Sequence, residues 1–291
     1  MTDINMRIKD FNIDFCEDLR DFYEDGGGKI PKGDKFTECR CPDAMYANPI
    51  AELKTLGTKD EFITTKDRKI AEPQSDGITI GGKYRRIKQI PKIILVRESP
   101  HRREYKDNKK IAPAQGQTGR NIKEFLPLIF SDQRFSGYYV VLVNSIQYQC
   151  SLGRKLNQGN NRKDKNELFN FLLKKEAYED SLIRRIQCIY SYDADVIVNC
   201  CTQGNCTYQG RKCEVTCPDE NNSYLVYLAI KKICDGRGGG KVLRMNHPIS
   251  WHSSCANRCV WFYPRQYSSF LCEKDFKNLH WMIFGKHKGL K

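Results

Sequence analysis

No apolar run in the 291-residue sequence approaches the roughly 20 residues of a membrane span. The opening "MTDINMRIKDFNIDF" has no apolar centre behind its charges, so it lacks the form of a secretory signal. Acidic residues are also short: 35 Asp+Glu stand against 49 Lys+Arg, for a net charge of +14. The expectation is a cytoplasmic monomer with no membrane role, whose partner is a polyanion, DNA or another nucleic acid before a ribosome-like or lipid contact. Several reaction signatures are missing too. "HRRE" is not H-E-x-x-H, "DGRGGGKV" ends in Lys-Val where a phosphate-binding loop needs Lys-Ser/Thr, and no G-x-S-x-G occurs. Zinc-protease, P-loop and the usual serine-hydrolase chemistry lose their support. No internal repeat or extended low-complexity segment stands out.

What is present suffices for a core: 40% of the residues are hydrophobic and 29% charged, a balance typical of globular chains. The 14 cysteines, in a reducing compartment, read as thiols or metal ligands rather than disulfides. Several fall in "NCCTQGNCTYQGRKCEVTCPDE", a Cys-rich insertion placed at 201–221. Cys206, Cys213 and Cys217, with Cys255 or Cys259 as a fourth ligand, could hold a structural zinc. The alternative is a loop of reduced thiols. No cofactor is required for the chemistry described below, and no catalytic metal is expected.

The first part of the chain, 1–89, reads as an accessory region. "MRIKDFNIDFCEDLRDFYED" has the spacing of an amphipathic helix, halted by Gly26-Gly27-Gly28, and residues 30–88 carry no clear element. From residue 90 onward the pattern is that of an α/β domain, 90–291. Short β-branched runs occur at "KIILV" (92–96), "GYYVVLVN" (137–144), "DVIVNC" (195–200) and "KVLRMN" (241–246). They do not alternate with polar residues, as expected for strands buried on both faces. Helical patterns separate them: "GRNIKEFLPLIF", "NELFNFLLKKEAYEDSLIRRIQCIY" and "NSYLVYLAIKKIC". A last helix is predicted across "SSFLCEKDFKNLHWMIF". The alternation predicts a mainly parallel sheet covered by helices.

Such sheets bind ligands beyond the carboxyl ends of their strands. The residues there are Glu98-Ser99-Pro100-His101, then Asn144, then Cys200-Cys201-Thr202, then His247-Pro248. A carboxylate facing an imidazole suits general-base and leaving-group chemistry at a glycosidic or ester bond. An Asn can donate and accept together, as reading a pyrimidine edge requires. A basic surface would hold phosphates. Together these residues suggest removal of a base that has been swung out of a DNA helix. Each also has an ordinary reading: Glu98 as a strand-end carboxylate paired with Arg97 or Arg102, Asn144 as a turn cap, His247 as a core imidazole.

The order of "RESPH" (97–101), Glu104, "PAQGQTG" (113–119), "NSIQYQCS" (144–151) and "HPIS" (247–250) resembles the uracil-DNA glycosylase superfamily. The likeness is to its bacterial and archaeal iron–sulfur branch, with motifs G-E-x-P-G, P-F-V-G-x-x-G, N-V-V-K-C-R-P-P and H-P-S, and it covers about residues 90–250. The resemblance implies a three-layer α/β/α fold around a central four-stranded mainly parallel sheet. It also implies a monofunctional DNA glycosylase that hydrolyses the N-glycosidic bond and leaves an abasic site. Carried over, Glu98 would orient or deprotonate the attacking water and stabilise the positive sugar, and His247 would donate to the pyrimidine O2. Asn144 would read the base, with Ser99, Pro100, His101, Ala114 and Gly116 around it. Gly119, Ser250 and Trp251 would meet the DNA, the indole as a wedge.

The chain departs from that pattern at three positions. Ala114 stands where the branch has the aromatic that stacks on uracil. His101 stands at the closing Gly of the first motif, or the Tyr that excludes thymine in the classical branch. Ser99 stands at the classical Asp. These changes favour a larger, modified pyrimidine, as found in phage DNA, and hence a defence role. Repair of uracil and a non-catalytic DNA-binding module are the alternatives. The four cluster cysteines of the branch find only Cys39-x-Cys41 and a displaced Cys150.

Overall fold

A computed structural model describes residues 13–25, 40–55, 62–63, 77–80, 83–105, 111–130, 133–150, 161–191, 195–202, 222–235, 241–245 and 247–251. Among these residues the helices are α1 (Phe15–Asp25), α2 (Gln117–Ile129), α3 (Asn161–Lys174), α4 (Glu176–Ile189) and α5 (Asn222–Asp235). The strands are β1 (Ala44–Tyr46), β2 (Phe62–Ile63), β3 (Gly77–Ile80), β4 (Lys83–Arg86), β5 (Lys92–Arg97), β6 (Tyr139–Asn144), β7 (Val196–Asn199) and β8 (Lys241–Arg244). One sheet has the order β2-β1-β6-β5-β7-β8, and β3 and β4 form a separate hairpin.

The four apolar runs read from the sequence are β5 to β8, and they pair in parallel. Their side chains alternate between two cores. Ile94, Val96, Val141, Val143, Ile197 and Val242 enter one, under α1, α3, α4 and α5. Ile93, Leu95, Val140, Leu142, Val198 and Leu243 enter the other, under α2. The fold is therefore α/β with helices on both faces of the sheet, and burial on both faces explains why the runs show no polar alternation.

Two expectations need correction. Among the described residues the sheet has six strands, not four, because β1 pairs antiparallel with β6, and β2 with β1. Within the accessory segment 1–89, β1 extends the sheet, and Phe15 and Leu19 of α1 belong to its core. The pattern at 166–190 is two helices, α3 and α4, broken at Lys175, whose backbone is extended. Lys175 pairs there with Asp18 and Asp21 of α1. The helix expected at 268–284 lies outside the described residues.

The topology places the site. From β5 the chain crosses by α2 to β6 on one face, and from β6 by α3 and α4 to β7 on the other. Crossovers of one hand running in opposite directions must use opposite faces. The neighbours β5 and β7 thus send their following loops apart, opening a crevice at their carboxyl ends, where open α/β sheets take ligands. At the opposite end of the same strands, the fully buried Lys92 donates to Asp195 from both its backbone N (3.0 Å) and its Nζ (2.6 Å).

Candidate active site

Glu98 follows β5 directly into this crevice and is 3% exposed. Its carbonyl accepts from Ile146 N at 3.0 Å, so its backbone is tied to the loop after β6. Oε1 accepts from Thr202 N at 2.9 Å, from the Thr202 hydroxyl, and from Asn222 Nδ2 at 2.9 Å. Oε2 accepts from Lys165 Nζ, on α3. Burial alone would raise the pKa of this carboxyl. The Lys165 ammonium, the nearby imidazole of His247 and the donated hydrogen bonds outweigh burial and hold it at about 2. Glu98 is an anion throughout the physiological range. Of the expected partners, Arg97 turns to Glu104 and Asn144, and the cation on Glu98 is Lys165.

Asn144, at the tip of β6, is fully buried. Its Oδ1 accepts from Arg97 Nη2 at 2.8 Å. A guanidinium only donates, so this bond fixes the amide and excludes the flipped orientation. Nδ2 is left facing away from Arg97, with no partner among the described residues. Arg97 is itself held by Glu104, Nη1 to Oε1 at 3.2 Å. The main chain is fixed as well. Arg185 of α4 donates to both carboxylate oxygens of Asp43 at 2.8 Å, and its Nη2 donates to the carbonyls of Asn144 (2.8 Å) and Ser145 (3.0 Å). A buried, rigidly oriented donor without a partner costs stability, and such groups mark places where a ligand completes the bonding.

Glu104 also shapes the turn before α2. Its Oε1 accepts from Ala114 N at 2.9 Å, and Ala114 sits in the left-handed region with φ 58, unusual for a residue with a side chain. Gly116 follows with φ 90. A Cβ on Gly119 would lie 2.0 Å from the Ala114 carbonyl oxygen, so glycine there is demanded by this turn.

His247 caps the short 3-10 helix Pro248–Ser250, its Nδ1 accepting from Ile249 N at 3.2 Å. That bond assigns the imidazole proton to Nε2. Burial lowers its pKa most; Glu98 pulls upward, while Arg97, Lys165 and Arg244 push down, and the outcome is about 4. His247 is therefore a neutral Nε2–H donor at pH 7. Asn121 of α2 holds this loop, Nδ2 donating to the carbonyls of Pro248 (2.8 Å), Ile249 (3.3 Å) and Trp251 (2.8 Å).

The structure thus brings Glu98, Asn144 and His247 to one edge, as expected. It departs from expectation elsewhere. Trp251 is 1% exposed and packs in the core under α2, so it is no surface wedge; the exposed apolar side chain of the loop is Ile249. The Ala114 methyl is also packed in that core, so the missing aromatic does not by itself open a pocket. Gly119 is buried, and its lack of a side chain answers to the Ala114 carbonyl. His101 is exposed, Pro100 is buried, and Ser99 is hydrogen-bonded to the Cys150 thiol. Burial pushes the thiols of Cys41 and Cys150 up, Cys150 to about 12, so both are protonated at neutral pH. Among the described residues no group of three or more His, Cys, Asp or Glu is arranged to hold a metal; Cys39, Cys206, Cys213, Cys217, Cys255 and Cys259 lie outside them.

Sequence reasoning missed Lys165, Asn222, Arg185 and Asn121. Asn222 had a signal, since it opens α5 right after the insertion. Lys165 had none among 49 Lys+Arg. No protein-family model matches the chain, and no curated protein matches it. Among the described residues no helix is long and apolar enough to cross a membrane.

Proposed function

We propose that the protein is a monofunctional DNA glycosylase of the uracil-DNA glycosylase type, acting on a pyrimidine base. What carries the reading is a buried carboxylate held ionised beside a buried amide whose oriented donor has no partner among the described residues. The net charge of +14 supports a DNA partner through its phosphates.

In this reading the target base is rotated out of the helix into the crevice. Asn144 Nδ2 donates to an acceptor on the base edge. As the bond between C1′ and the base nitrogen lengthens, positive charge grows on the sugar and negative charge on the base. Glu98 faces the first charge; at a pKa of about 2 it serves as an electrostatic partner of the cation far better than as a proton acceptor. His247 Nε2–H meets the second charge at a base oxygen. Water adds to C1′, the base departs with the bonding electrons and takes up a proton, and an abasic site remains. Ile249, 52% exposed beside His247, is the side chain placed to fill the gap in the stack.

A substituted pyrimidine, as in phage DNA, is the proposed substrate, on the ground of His101, exposed after the first motif where the resembling branch has Gly. The test is base release from uracil DNA, thymine mismatches and phage genomes with substituted cytosines or thymines, with the freed base identified by mass spectrometry. Release of a substituted base supports the reading. Release of uracil alone makes the protein a repair enzyme. DNA binding with no base released from any substrate favours the non-catalytic module.

A further inference from the structure

Glu98 is not the only acceptor in the crevice that lacks its full set of donors. Asn222 is fully buried at the start of α5. Both hydrogens of its Nδ2 are used, one on Glu98 Oε1 at 2.9 Å and one on Asn166 Oδ1 at 3.2 Å. Its Oδ1 has no partner among the described residues. Standard amide bond lengths place that oxygen about 2.3 Å from its own Nδ2. With the 2.9 Å bond to Oε1, Asn222 Oδ1 can lie no more than about 5 Å from the carboxylate, a span that one water bridges with two bonds of about 2.8 Å.

The donors on the carboxylate are unevenly divided. Among the described residues Oε1 takes three, from Thr202 twice and Asn222 once, whereas Oε2 takes Lys165 alone. Oε2 therefore keeps acceptor capacity. Two neighbouring acceptors, one anionic and one neutral, both shielded from bulk solvent, call for a single group that brings two hydrogens. Water is the smallest such group. Held by both hydrogens, it must turn its lone pairs away from the protein and towards the crevice.

We infer that Asn222 and Glu98 together hold the nucleophilic water, with Asn222 Oδ1 as the second hydrogen-bond acceptor that orients it. This rests on the glycosylase reading above. In the step, the water oxygen forms a bond to C1′ as the bond from C1′ to the base nitrogen breaks, and the bonding pair leaves with the base. Glu98 and Asn222 keep the water's hydrogens pointed away from the cationic sugar. One proton then passes through the crevice to the departing base or to solvent, and the other stays on the new sugar hydroxyl. Asn222 becomes a catalytic residue through its contact with the attacking water, and Glu98 is spared the task of removing a proton at a pKa unsuited to it.

The test joins a high-resolution crystal structure of the free protein with single-turnover base release. The wild-type crystal should show a water within about 3.2 Å of both Asn222 Oδ1 and a Glu98 oxygen. Asn222→Ala should lose that water and slow base release about 100-fold at unchanged DNA affinity. With methanol added, it should also give a larger share of methyl glycoside than wild type, because the attacking position is no longer reserved. Thr202→Val removes a hydroxyl donor from Glu98 Oε1 and leaves Asn222 in place. It should keep the water and stay within about tenfold of wild type, which separates loss of the water from a mere disturbance of Glu98. The inference is overturned if no water bridges the two side chains, whether or not the protein releases a base. It is equally overturned if Asn222→Ala releases base at the wild-type rate, or changes which base is released without changing the methanol share. Absence of base release by wild type from every DNA tested, with the water present, removes the glycosylase reading and the catalytic role of Asn222 together.

Discussion

Lys165 and Glu98, 67 residues apart in the chain, form an ion pair in which the ammonium sits on the carboxylate oxygen that carries no other hydrogen bond from the described residues. In the proposed glycosylase reaction, a cation so close to the group assigned to face the sugar cation has two opposed effects. It keeps the carboxylate ionised, and it offsets part of the negative field that the transition state needs.

Replacing Lys165 with Met separates these effects. Without the ammonium, burial dominates and the Glu98 pKa rises from about 2. Base release, flat for wild type down to about pH 4, should then acquire an acid limb at higher pH, read as the pH profile of single-turnover rates. On the plateau Lys165→Met should change the rate far less than Glu98→Gln, which should cost about 100- to 1000-fold.

Acid stability follows from the same groups. The His247 pKa is depressed to about 4 from 6.5, so between those values the unfolded chain binds a proton that the folded protein does not. That contribution is complete above about pH 6.5 and is lost as pH falls through 4. Glu98, depressed from 4.5 to about 2, loses its contribution in the lower window. His247→Gln should flatten the fall in Tm between pH 6.5 and 4 and leave the fall below pH 4 in place.

Arg97 sets which way the Asn144 amide faces. Arg97→Met should free the amide to flip and leave Glu104 without its cation. The expected result is a loss of selectivity among released bases, together with a lower rate, measured as the ratio of kcat/KM for two substrates. Arg97→Lys should not rescue it, because a point ammonium cannot span Glu104 and Asn144 as the planar fork does.

Gly119→Ala should be severe. The added methyl would meet the Ala114 carbonyl 2.0 Å away, and the backbone oxygen cannot move without disturbing the bond from Ala114 N to Glu104. A loss of at least about 2 kcal/mol is expected, checked by denaturant unfolding. Ala114→Gly should be neutral or mildly stabilising, since it relieves the φ of 58.

At the other end of the sheet, Lys92→Met alone leaves Asp195 buried without its cation and should cost about 3–5 kcal/mol. Combining it with Asp195→Leu should recover much of that loss, and neither change should alter the pH profile of base release, because the pair is remote from the crevice.

The strands β5 to β8 were legible because burial on both faces leaves little room for polar residues, and Glu98, Asn144 and His247 were legible because they stand at or shortly beyond the carboxyl ends of those strands. Strand β1 was not. Its three residues, Ala44–Tyr46, are too few to show a period, and only pairing with β6 makes them a strand. The break between α3 and α4 was hidden for a different reason: Lys175 is a good helix former, and its extended backbone accompanies its pairing with Asp18 and Asp21 of α1. Trp251 misled because position in a motif says nothing about which way a side chain turns. Asn222, Lys165 and Arg185 reach the site from helices far along the chain, and only the three-dimensional fold brings them there.

The Cys-rich insertion read from the sequence lies between Thr202 and Asn222, and both of these residues donate to Glu98 Oε1. Two positions about twenty residues apart in the chain are thereby fastened to the same atom. A shift of register at either root changes the donors on that one oxygen, so the charge of Glu98 answers to both ends of the insertion at once.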